Sequence, residues 1–131
     1  MTDSERYAWT AGRVLLSLIF ILSAFGKLAD LAGTAAFMRA AGIPAVWLFL
    51  PGAIVLELGG GLAILSGYGM RLGVAALIVF LIPTTLIFHA FWQASGMERT
   101  GQLINFMKNL AIIGGLLIVV PASAATERSR T

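Results

Sequence analysis

The chain contains no cysteine, a single histidine and only 11% charged residues over 131 positions. The missing cysteines exclude a disulfide framework, thiol redox chemistry and any cysteine-held metal site. One imidazole, His89, cannot provide bis-histidine haem ligation within a chain, so no metal is expected. Sparse charge, together with a mean hydropathy of +0.92, excludes an ordinary soluble domain. Phosphate-binding loops, dinucleotide fingerprints and hydrolase motifs are absent too. The pI near 10 and net charge of +3 do not point to nucleic acid. The basic residues are scattered, and a cationic rim facing a lipid bilayer accounts for them.

What the chain does have is apolar length. Four stretches, Ala11–Lys27, Val46–Ser66, Leu72–Trp92 and Leu103–Pro121, each come near the ~20 residues that a helix needs to cross a bilayer. The fold expected is all-α: an integral membrane four-helix bundle forming one domain over residues 1–131. The first stretch lacks a small-x-small cleavage site and is followed by further spans, so it reads as a retained helix rather than a signal peptide. Arg6, Arg13, Arg71, Arg128 and Arg130 fall on one side of these spans. That bias predicts both termini in the cytoplasm of a bacterial or archaeal cell, with the protein in its plasma membrane.

The connection Leu28–Ala45 predicts a short interfacial helix, capped by Thr34, running through Met38–Ala41 and ended by Gly42 and Pro44. It is either a lid over the bundle or a plain linker. Gly59-Gly60-Gly61 and Gly114-Gly115 predict close helix approach, with a widened backbone near Glu57 as the sharper alternative. Pro83, followed by Thr84 and Thr85, predicts a kink in the third span.

Ionisable groups inside hydrocarbon cost about 2.5–3.5 kcal/mol each even on the lenient insertion scale. Glu57 and Arg13 lie at depths of ~16 and ~21 Å by helical rise, which predicts an ion pair across spans one and two. The alternative is an Arg13 that snorkels inward and a protonated Glu57. Lys27, His89, Lys108 and Asn109 fall within ~10 Å of the outer end. Asn105, Lys108 and Asn109 share helical spacing. These groups predict an outer polar vestibule, covered by Phe37–Pro44 and suited to an anion or a carbonyl oxygen. Taken singly, Lys27 is an interfacial anchor and His89 a hydrogen-bonded structural residue.

The sequence resembles the DoxX family of small four-helix membrane proteins. The resemblance rests on Arg13, Phe25-Gly26-Lys27-Leu28, Phe37 with Gly42-Ile43-Pro44, and Glu57-Leu58-Gly59-Gly60-Gly61. It continues with Gly67 and Arg71, His89-Ala90-Phe91-Trp92, Phe106-Met107-Lys108-Asn109-Leu110 and Gly114-Gly115. Their order and spacing, from Arg13 to Pro121, carry the likeness. The family takes its name from a subunit associated with thiosulfate:quinone oxidoreductase activity, and some relatives are linked to oxidative-stress redox complexes. The resemblance therefore implies a small subunit or accessory of a membrane redox system. Its partners would be redox-complex subunits and a quinone or sulfur oxyanion, with a homo-oligomer left open. Autonomous catalysis is not expected, and no cofactor motif is evident beside a compatible quinone. Two rivals stand: a proton-coupled transporter using Glu57, and a non-catalytic scaffold whose polar groups specify packing.

Overall fold

A computed structural model describes residues 1–128, with side chains through Val120. The side chain of Arg128, and Arg130 altogether, both used in the charge count, lie outside the described residues. The chain is all-α: α1 Asp3–Ala29, α2 Leu31–Ala40, α3 Val46–Ser66, α4 Met70–Phe88, a 3₁₀ turn Phe91–Gln93 and α5 Gly96–Arg128. Four helical segments, Asp3–Ala29, Val46–Ser66, Met70–Gln93 and Gly96–Val120, are long and apolar enough to cross a membrane. Their outward surfaces are apolar as well: Leu15, Leu22, Val55, Leu72, Val79 and Ile118 are all exposed. Surfaces of that kind are stable against lipid rather than water.

Local chemistry sets the helix ends. α1 begins at Asp3 rather than Ala11 because Thr2 and Glu5 close a capping box. Thr2 Oγ1 accepts from Glu5 N at 3.2 Å, and Glu5 Oε2 accepts from Thr2 N at 2.6 Å. Asp30 ends α1 and starts α2, its carboxylate accepting from Gly33 N at 2.9 Å. The expected cap, Thr34, instead turns its hydroxyl back to the Asp30 carbonyl at 2.8 Å. Gly42 terminates α2 as expected, at φ 81°, with Ile43 N donating to Met38 O at 3.1 Å. The third span closes its α-helix at Phe88, with His89 as its C-cap. Pro83 does not break α4. Thr84 donates its hydroxyl to the Phe80 carbonyl at 2.7 Å, one turn back.

Neighbouring spans run antiparallel, and glycine sets how close they come. Gly60 and Gly73 face each other across α3 and α4, where an added Cβ on Gly60 would lie 2.6 Å from Leu77 Cγ. Gly61, one position on, faces α1, and its added Cβ would lie 2.9 Å from Ile21 Cγ1. Adjacent glycines thus seat two different neighbours. α3 stays regular through Glu57 and these glycines, so Gly60 and Gly61 serve packing and the backbone is not widened.

Two apolar clusters fill the bundle. One joins Phe20, Ile64, Met70, Val74, Leu77, Leu81, Leu116 and Val119. The other joins Met38 of α2 to Val46, Leu50 and Ile54 of α3, with Phe88 against it. Phe37 stacks on Phe88 at 5.0 Å between ring centroids. α2 therefore lies across one end of the bundle, here the α2 end, and reaches from α3 to the close of α4.

Candidate functional site

Between those two clusters on α3, after Ile54 and before Ile64, stands Glu57. It is 1% exposed. Its cationic neighbour is Lys27 of α1: Nζ lies 2.7 Å from Glu57 Oε2, and the two side chains are 21% and 2% exposed. Lys27 also donates to Ser23 Oγ at 2.8 Å and stands 5.6 Å from the centre of the Phe80 ring. The ammonium is thus held by a hydroxyl, a carboxylate and an aromatic face. Its approach to Oε2 is an ion pair without an aligned hydrogen bond; among the described residues that oxygen receives none.

The expected Arg13–Glu57 pair does not form. Helical side chains lean toward the N-terminus of their own helix. Lys27 therefore leans from the α2 end into the membrane span, toward Glu57. Arg13, on the same helix, leans in the same direction, which from its position leads away from Glu57. Its guanidinium lies 4.8 Å from the Trp9 ring centre, and Nη1 comes within 2.8 Å of where a Cβ on Gly67 would stand. Gly67 closes α3, which places Arg13 at the opposite end of the bundle. Matching depths by Cα position left out this lean.

The other expected site residues are distributed as follows. His89 Nδ1 is 2.9 Å from Gln102 Oε1, joining the end of α4 to the start of α5. Asn109 Nδ2 donates to Thr85 Oγ1 at 3.0 Å, a second tie between α4 and α5; Thr85 is 3% exposed. Lys108 is exposed on the flank of α5, beside exposed Ile104, Met107 and Ala111. Among the described residues, no hydrogen bond or ion pair joins Lys27, His89, Lys108 and Asn109 to one another. The described residues hold no group of three or more His, Asp or Glu side chains placed for a metal.

Four participants escaped the sequence reading: Ser23, Phe80, Thr85 and Gln102. Ser23 had a signal, standing one turn before Lys27 on the same face. Thr85, Gln102 and Phe80 had none, because each has its partner on a different helix or that helix's cap.

Comparison with known proteins agrees with this architecture. The chain is 39% identical over 119 residues to the inner membrane protein YqjF of Escherichia coli (strain K12), covering 91% of this chain and 86% of the relative. It is 31% identical over 119 residues to the inner membrane protein YphA of the same organism, covering 88% and 85%. No solved structure matches. The DoxX family model matches residues 8–90, from α1 through the end of α4, and the chain belongs to the DoxX family.

Proposed function

We propose that this protein is a small accessory subunit of a quinone-linked membrane redox system and that the Lys27–Glu57 pair meets the quinone head group. One observation carries the reading: the two members of the pair differ in exposure. Glu57 is enclosed while Lys27 keeps 21% of its side chain exposed. In this reading the exposed part of Lys27 faces hydrocarbon, so its ligand is soluble there and offers an oxygen acceptor. A quinone does both, and the Phe80 ring beside Lys27 gives its head group an aromatic neighbour.

The residues fit such a ligand. Lys27 has three donor hydrogens, of which Ser23 takes one. Glu57 Oε2 is buried and receives no aligned hydrogen bond, so in this reading it serves the head group through the Lys27 ammonium beside it. In this reading Lys27 orients the head group, Glu57 takes or returns the proton, and α2 covers the site through Met38 and Phe37. The α2 end would face away from the cytoplasm, with both termini inside. His89 and Asn109 act from α4 and α5 by way of Gln102 and Thr85.

A scaffold is the second reading, favoured by the ties His89–Gln102 and Asn109–Thr85, which satisfy those side chains within the bundle. Binding of a short-chain ubiquinone analogue to the protein in nanodiscs separates the two. Wild type should bind, and Lys27→Met should weaken binding by roughly tenfold or more, the worth of one charge-assisted hydrogen bond. Absence of binding by wild type would favour the scaffold.

A further inference from the structure

Lys108 is a charged residue of the spans that this reading does not use. It stands midway along Gly96–Val120, exposed, with apolar Ile104, Met107 and Ala111 around it. Among the described residues it has no hydrogen-bond, ion-pair or aromatic partner. α5 is also the least buried of the four spans. Glu57 neutralises Lys27, so Lys108 remains an uncancelled positive charge on a surface otherwise fit for lipid.

Helix register says what lies opposite. α1 and α5 are antiparallel, and they meet where a Cβ on Gly115 would stand 3.6 Å from Leu16 Cδ1. About two turns (~7 residues) toward the α2 end from this contact, α1 presents Ser23 and α5 presents Lys108. Roughly one turn further, α1 presents Lys27 opposite Ile104. The Lys108 side chain leans toward the N-terminus of α5, so its stem of about 6 Å carries the ammonium to the level of Ile104, where the apolar run begins. That level suits a lipid phosphate.

We infer that the seam between α1 and α5, at the α2 end, holds the head group of an anionic phospholipid, with Lys108 supplying the neutralising charge. The acyl chains then lie along the apolar flank of α5, past Ala111 toward Ile118. A second copy of this chain fits less well. Among the described residues Glu57 is buried and Asp3 and Glu5 stand at the opposite end, which leaves a second copy only Asp30 and Glu98, beyond the start of the apolar run, to meet this charge. A different membrane protein with an embedded acid is the competing occupant.

The test is native mass spectrometry of the full chain, taken from nanodiscs of mixed phosphatidylglycerol and phosphatidylcholine. Wild type should retain phosphatidylglycerol about fivefold over phosphatidylcholine, the worth of one lysine at an anionic surface. Lys108→Arg should keep that preference and Lys108→Met should lose it. Millimolar thiosulfate should leave it unchanged, since a lipid is held by its chains as well as its phosphate; displacement by thiosulfate would assign the seam to small oxyanions and overturn the lipid. An equal preference in wild type and Lys108→Met would overturn the role of Lys108. A photocrosslinker at Met107 that captures another membrane protein, with no lipid preference in wild type, would assign the face to that partner. None of these readouts involves quinone, so the result stands apart from the redox reading.

Discussion

Lys27 reaches back one turn to hydrogen-bond Ser23, and in that pose its ammonium stands 2.7 Å from Glu57 Oε2. Two effects meet in this arrangement. The lean of a helical side chain fixes which cation can reach the carboxylate, and the tether to Ser23 lowers the entropy lost in holding it there. The pair lies between two apolar clusters, one built by the spans and one by α2 over the end of α3. An ion pair in such a place does not stabilise by default: desolvation offsets much of the attraction. In the proposed function its worth lies instead in giving a quinone head group a charged group to meet.

Glycine positions in α3 should differ sharply in tolerance. Gly60→Ala places a methyl against Leu77 and the Gly73 carbonyl, whereas at Gly59 nothing lies within 4 Å. Overpacking of this kind costs about 1–3 kcal/mol. Thermal unfolding in detergent should show Gly60→Ala markedly destabilised and Gly59→Ala close to wild type.

The tie between α4 and α5 is worth less. Thr85→Val leaves half-buried Asn109 unpaired and Asn109→Leu leaves buried Thr85 unpaired, while the double variant removes both. Interhelical hydrogen bonds in membranes average about 0.6 kcal/mol and reach ~1.7. A double-mutant cycle on unfolding should return a coupling within that range.

Orientation can be read directly because the chain has no cysteine of its own. Tyr68→Cys lies in the exposed turn between α3 and α4, and Met97→Cys at the exposed start of α5. Opposite ends of the bundle carry these two positions. With both termini inside, a membrane-impermeant maleimide added to intact cells should label position 97 and spare position 68. The reverse pattern would invert the topology.

The fold was legible because hydrocarbon imposes one rule, length of apolar helix, and α1, α3, α4 and α5 obey it openly. Asp30 was harder to see as the cap of α2, since Thr34 offers the same chemistry four residues later. The site was legible only in its membership. Glu57 and Lys27 stand out as charges in apolar surroundings, yet their pairing depends on side-chain direction, which depth by residue number does not contain. Lys108 and Asn109 are sequence neighbours that a helix turns about 100° apart. Asn109 meets Thr85 inside the bundle while Lys108 faces outward, so the spacing from Asn105 that suggested one shared face was too coarse to separate them.

The central relationship is the choice of Lys27 over Arg13 as the partner of Glu57, and paired double-mutant cycles test it most directly. Unfolding free energies would be measured in one detergent for Glu57→Gln, Lys27→Met and Arg13→Met, and for the two doubles that include Glu57→Gln. Removing one member of a desolvated pair strands the other charge at a cost of about 3–5 kcal/mol, and the double variant should recover much of it. Lys27 should therefore couple strongly to Glu57, and Arg13 should be additive with it to within ~0.5 kcal/mol. Coupling to Arg13, or additivity with Lys27, would contradict the account.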